Sequence, residues 1–280
     1  MNGELITGIF IFLLGMVTGS FFNVCIYRLP LSQSVVNPPS HCFACGHKLS
    51  FRDMVPILSF VLLGGRCRYC HAGISPRYAL VELLTGLLFL LTYFMTGISP
   101  ELVFYLAFVS IMVIITFIDI DHRIIMDRFA IIGFLLAPAY LFAALIPQTA
   151  FSHSIFYGLP AVNSFSDLPI KSALLGGLIG ACSLLAVDLL GRAIYKKESM
   201  GFGDVKLMAW AGIFLGVRGV IVALIFAVWV AAAAGLILLR VRKRSGNQDH
   251  QMPFGPFLAA GSVFAIFFAG RVVSWYLSYL

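Results

Sequence analysis

Charge is scarce in this sequence. Only 11% of its 280 residues are Asp, Glu, Lys or Arg, against about 25% in an average soluble domain. That deficit, with 60% hydrophobic residues and a mean hydropathy of +0.98, excludes a water-soluble globular fold and indicates an integral membrane protein. Acids are scarcer than bases, 12 against 19, so the chain carries a formal net charge of +7. The bases lie in short segments between apolar runs and not along one continuous face, so they report topology and argue against a nucleic-acid partner. Neither H-E-x-x-H nor G-x-S-x-G occurs, which leaves the zincin and serine-elbow chemistries without a signature. Internal repeats and low-complexity tracts are also absent. No basic flank precedes the first apolar run, so residues 5–26 are expected to be a retained transmembrane helix and not a cleaved signal peptide.

Apolar runs fall at 5–26, 78–97, 101–118, 128–146, 171–191, 204–218, 219–239 and 253–277, against a requirement of about 20 residues per crossing. The expected fold is an all-α polytopic membrane protein of about eight transmembrane helices, with a small cytoplasmic zinc-binding segment between helices 1 and 2. Its expected divisions are a first transmembrane helix at 1–27, a cytoplasmic four-cysteine segment at 28–77 and a polytopic membrane domain at 78–280. With the amino terminus outside, nearly all bases fall on the cytoplasmic side; only Lys171, Arg218 and Arg271 fall outside. The run at 204–218 is short, but joining it to the next would expel Arg240, Arg242, Lys243 and Arg244 to the exterior. Two crossings with a turn near 216–219 are therefore expected. Residues 147–170, rich in Ser, Pro and Asn, read as an exterior connector.

Between the first two helices stand two C-x2-C pairs, Cys42 with Cys45 and Cys67 with Cys70. Two such turns complete a tetrahedral thiolate shell for a structural zinc, since a closed S4 shell leaves no open position for substrate. A pair of disulfides is the alternative, and the expected reducing compartment argues against it. His41, His47 and His71 flank the pairs and are expected to be solvated. Cys25 and Cys182 lie in apolar runs as small hydrophobes.

Four acids stand where a membrane helix should make them costly. Asp119 and Asp121 fall in "TFIDIDHRIIMDRF", Asp188 in "LLAVDLLGR" and Asp204 in "GFGDVK". Gly201 and Gly203 clear space around Asp204 for a close backbone. If Asp119 faces Asp204 from another helix, the two carboxyls share one proton and can act as acid and base on a water, the machinery of aspartic peptide hydrolysis. Other readings remain open on these residues alone: Asp204 as a helix cap or dipole partner, the acids as a proton or cation path in a transporter, or a non-catalytic scaffold whose zinc segment docks a partner. Asp188 has the spacing of an intrahelical pair with Arg192.

The residues also resemble a known family. "GSFFNVCIYRLP" at 19–30, the two cysteine pairs with "GRCRYCHAGISPRYALVELLTG" at 65–86, "IDIDHRIIMD", "GFGDVKL", and "PFGPFLAAG" at 253–261 resemble the ordered motifs of the prepilin peptidases of type IV pilus and type II secretion systems. The resemblance implies catalytic aspartates at Asp119 and Asp204, with Met126 where the family usually has proline and "DMVP" at 53–56 where it has Glu-Asn-Ile-Pro or Asp-Asn-Ile-Pro. It implies an inner-membrane enzyme, embedded in the lipid bilayer, that removes the short basic leader of a prepilin or pseudopilin at the cytoplasmic face. It further implies methylation of the new amino terminus by S-adenosylmethionine. No G-x-G-x-x-G fingerprint accompanies that second activity, so methyl transfer rests on the resemblance alone.

Overall fold

The computed structural model describes residues 2–144, 169–196, 201–245 and 252–279, so that all but the last two residues of the expected 147–170 connector lie outside it. Among the described residues there is no β-strand, and the chain divides into two compact units, Met1–Ile98 and Ser99–Leu280. The protein is an all-α polytopic membrane protein. Six of its helices are long and apolar enough to cross a membrane.

The first unit contains α1 (Asn2–Arg28), a four-cysteine segment that includes the short α2 (Leu58–Leu62), and α3 (Arg77–Thr96). Lipid offers no hydrophobic drive for helices to associate, so close contact depends on small residues. Here Gly15 and Gly19, one helical turn apart, provide it: a Cβ on Gly15 would stand 2.8 Å from Gly86 Cα, and one on Gly19 would stand 2.9 Å from Glu82 Cα. Asn23 Nδ2 then donates to the Tyr78 carbonyl at 3.1 Å, tying the ends of the two helices.

The second unit contains α4 (Pro100–His122), α5 (Asp127–Ala144), α6 (Pro169–Tyr195), α7 (Phe202–Ser245) and α8 (Gly255–Leu277). A straight α7 of 44 residues would be about 66 Å long, twice a bilayer core of about 30 Å. It is not straight, because Gly216 has φ 68° and ψ 179° and breaks it. The chain doubles back there. A Cβ on Gly180 of α6 would meet both the Met208 carbonyl and, at 3.2 Å, Val220 Cγ2, residues that a continuous helix would hold about 18 Å apart. The two arms, 202–215 and 217–245, divide where the two expected crossings were to meet. With them, α1, α3, α4, α5, α6 and α8 make eight long helical segments.

Aromatic stacking fills the centre of this unit. Phe214 of α7 lies 4.5 Å from Phe108 of α4 and 4.5 Å from Tyr140 of α5, centroid to centroid. Tyr105 and Tyr140 share a hydroxyl hydrogen bond of 3.0 Å. Trp210 and Phe108 are fully buried, and the Trp210 indole occupies the space that a Cβ on Gly133 would need. Truncating a side chain of this size costs about 3–5 kcal/mol, so α4, α5 and the first arm of α7 form one rigid support.

Candidate active site

Three helix ends converge in the second unit. α4 stops because Arg123 adopts the left-handed conformation, φ 55°, and its N–H caps the Asp119 carbonyl at 2.9 Å. This leaves Asp119 in the last turn, 5% exposed. α7 begins at Phe202, which puts Asp204 in its first turn, 8% exposed. α8 begins at Gly255.

Glycine decides how closely these ends approach. A Cβ on Gly203 would lie 2.8 Å from Ile125 Cβ and 3.4 Å from the Ile125 carbonyl, so the loop that follows α4 rests directly on the first turn of α7. Gly201 instead faces its own aspartate: its N–H donates to the Asp204 carboxylate, and its carbonyl accepts the Asp204 N–H at 3.0 Å. Glycine has no side chain to complete a capping box, but the half in which the N3 carboxylate reaches back to the cap N–H is present and holds the carboxylate against the helix start. On the other side, Gly255 N–H donates to the Asp119 carboxylate. The two carboxylates interact electrostatically. Both are buried and both hold one backbone N–H; Asp204 stands in the first turn of its own helix, and Asp119, in the last turn of α4, meets the amino end of α8, where an anion is favoured.

The remaining acids have other places. Asp127, at the start of α5, pairs with Lys206 of α7 at 2.6 Å, and Lys206 also lies over the Phe202 ring at 5.0 Å. Asp188 pairs with Arg192 at 2.8 Å, four residues on, as its spacing predicts. Asp121 is exposed. Two buried acids escape the sequence reasoning. Glu101 is fully buried, and neither of its carboxylate oxygens has a hydrogen-bond partner among the described residues. Glu82 lies inside the apolar run of α3, accepts the Ile57 N–H at 2.8 Å and bonds the Ser20 side chain. A charge inside an apolar run was the available signal for Glu82.

In the first unit the four cysteines come together. Their Sγ atoms lie within 4.8 Å of one another, and Cys42 and Cys70 are 3.8 Å apart. A tetrahedral zinc with Zn–S bonds of about 2.3 Å requires sulfur separations of about 3.8 Å, so the thiol set fits that ion. All four are free thiols. The two knuckles share a plan: Cys42 N–H bonds His47 O at 2.9 Å and Cys67 N–H bonds Ala72 O at 2.8 Å, with left-handed residues at Gly46 and His71. Backbone N–H groups of Cys45 and Ala44 pull the Cys42 thiol down, while burial and the neighbouring thiols push Cys70 up, so within the cluster Cys42 gives up its proton first. Among the described residues no histidine joins the cluster. Asp53 braces the segment: Oδ2 accepts from Ser50 Oγ at 2.6 Å and Tyr69 Oη at 3.1 Å, and Oδ1 from Arg68 Nε at 2.7 Å. Bonds from Ser50 and the Arg68 guanidinium hold the Asp53 carboxyl well below the usual carboxylate range.

Fold and site together define a class: a polytopic helical membrane protein with paired buried carboxylates and a four-thiol cluster. Residues 13–96 match the bacterial Peptidase A24 N-terminal domain, and residues 106–237 match the type IV leader peptidase family. The chain is similar to proteins named prepilin leader peptidase/N-methyltransferase. With that of Myxococcus xanthus (strain DK1622) it shares 37% identity over 238 residues, 85% of this chain and 65% of that protein's length. With that of Klebsiella pneumoniae the identity is 34% over 215 residues, 75% of this chain and 85% of the relative. With that of Pseudomonas putida it is 30% over 282 residues, 92% of this chain and 90% of the relative. No solved structure matches the chain. The chain belongs to the prepilin leader peptidase/N-methyltransferase family.

Proposed function

We propose that this protein is a membrane aspartic endopeptidase that removes the short basic leader of type IV prepilins or type II secretion pseudopilins. Asp119 and Asp204 are its acid and base, and they act at the cytoplasmic face of the inner membrane. The observation that carries this reading is the pair itself: two buried carboxylates from different helices, in electrostatic contact, each held by a glycine N–H. The positively charged loops support the cytoplasmic orientation.

Like charges in a poorly solvated site resist joint ionisation, so the pair carries one proton. The ionised carboxylate takes a proton from the water between them as the water oxygen attacks the scissile carbonyl carbon. The protonated carboxyl gives its proton to the carbonyl oxygen, forming a gem-diol. The carbon–nitrogen bond then breaks as the nitrogen accepts a proton, leaving a leader carboxylate and a new amino terminus. Substrate backbone can be attacked only where it is not already satisfied within a helix, which favours a bond at the membrane surface.

Cys42, Cys45, Cys67 and Cys70 would hold a structural zinc, which supplies a cross-link for the loop between α1 and α3. The relatives' names support an N-methyltransferase activity, which we infer acts on the new amino terminus with S-adenosylmethionine as donor. The test is to incubate the purified protein in liposomes with a prepilin and identify the products by mass spectrometry. A single cut that frees the short basic leader supports the reading, and intact substrate contradicts it.

A further inference from the structure

The stretch "MVPILSFVLLG", residues 54–64, lies in the cysteine segment and yet carries no charge. Arg52 and Arg66 flank it. An apolar run of about 10–14 residues is too short to span a bilayer and suits a buried core helix or an interfacial segment. Burial in a core does not describe this one. Its helix α2 turns Leu58, Val61 and Leu62, at spacings of three and four, onto a single face, and these are 54%, 65% and 75% exposed. Phe51, just before the run, is exposed as well.

A hydrogen bond sets the depth of this face. Ile57, with φ 60°, turns its N–H onto Glu82 Oε2 at 2.8 Å. Glu82 is five residues inside α3, whose membrane-spanning stretch begins at Arg77. Five residues of helix place the Glu82 Cα about 7.5 Å beyond Arg77 along the helix axis. Amphipathic segments at a membrane surface bury their apolar faces about 5–10 Å into the headgroup and acyl boundary, the same depth. Leu80, Leu83 and Leu87 of α3, the helix that holds the loop, are exposed as well. Glu82 itself is secured by Ser20 of α1, so the anchor belongs to the membrane-embedded helix pair.

We propose that residues 54–64 insert into the lipid interface, with Leu58, Val61 and Leu62 in contact with acyl chains and Glu82 holding the segment at that depth. The cysteine segment is then moored to the membrane at its middle as well as at both ends, with Arg52 and Arg66 at the level of the lipid phosphates. This inference does not depend on the peptidase reading.

The test is a tryptophan at position 62, Leu62→Trp, in the full chain reconstituted into phosphatidylethanolamine and phosphatidylglycerol vesicles. Emission is read as the difference from the parent protein. The expected result is blue-shifted added emission that is lost in vesicles with acyl chains brominated near the headgroup and is indifferent to aqueous iodide. Quenching by iodide alone would place the segment in water, and protection from both quenchers would place it under protein; either overturns the proposal. In the same background Glu82→Gln, which still accepts the Ile57 N–H, should keep the lipid quenching, and Glu82→Ala should lose it. Unchanged quenching in Glu82→Ala would remove Glu82 as the depth-setting group.

Discussion

Gly255 meets Asp119 in two ways: its backbone N–H donates to the carboxylate, and a Cβ in its place would stand 2.5 Å from Asp119 Oδ2. The amino end of α8 is thus shaped around that acid. Gly255→Ala should keep the protein in the membrane while pushing the carboxylate aside. A loss of about tenfold or more in prepilin cleavage, equal to about 1.4 kcal/mol of barrier, is expected. Cleavage rates at matched membrane levels check this, and an unimpaired variant would show that the contact is incidental.

Gly216 sits at φ 68° and ψ 179°, backbone that is essentially reserved for glycine. Gly216→Ala should therefore destabilise the α7 hairpin by about 1–3 kcal/mol. Thermal unfolding in detergent, compared with an alanine substitution at Gly270, where a Cβ meets open space, reads this cost.

The Lys206–Asp127 pair links the starts of α5 and α7, but Asp127 is 68% exposed. Solvent screening limits such pairs to about 0.2–1 kcal/mol. A double-mutant cycle with Lys206→Met and Asp127→Asn should return a coupling energy in that range, and a larger one would mean that the pair positions Asp204.

Asp53 should make the cysteine segment sensitive to acid. Its folded carboxyl titrates below the unfolded value of about 3.9, because Ser50 and Arg68 hold the ionised form. The stability this contributes is complete above the unfolded value and is lost as pH falls below about 4 towards the folded one. Protease resistance of the segment should decline over that interval in the parent, and Asp53→Asn should be weaker at neutral pH with a flatter acid profile.

Metal analysis should find about one zinc per chain bound by the four thiols. Cys42→Ser or a strong chelator should release it and open residues 42–70 to proteolysis. A protein that retains zinc after loss of Cys42 would mean that a different ligand set holds it.

Much of this architecture is legible in the sequence, because in a membrane each crossing must be apolar and each costly residue needs a reason. The break at Gly216 follows from the charge cluster at 240–244, which a single long helix would place on the wrong side. The meeting of the four thiols follows from paired C-x2-C spacing. Glu101 escapes because an acid in the first turn of a helix is ordinary, and only tertiary packing buries it completely. Residues 54–64 escape because they lie among bases and cysteines that make the whole loop look hydrophilic, and the bond from Ile57 to Glu82 joins positions 25 residues apart. The embrace of Asp119 by Gly255 is far longer in range: "PFGP" can be noticed as a motif, but not which acid it touches.

The most direct measurement is cleavage of a co-expressed prepilin, scored by the gel shift of leader loss, with the parent, Asp119→Asn, Asp204→Asn and Asp188→Asn at matched membrane levels. Product from the parent and Asp188→Asn, with none from the other two, is the expected result. Full processing by either Asp119→Asn or Asp204→Asn would contradict the paired-aspartate site.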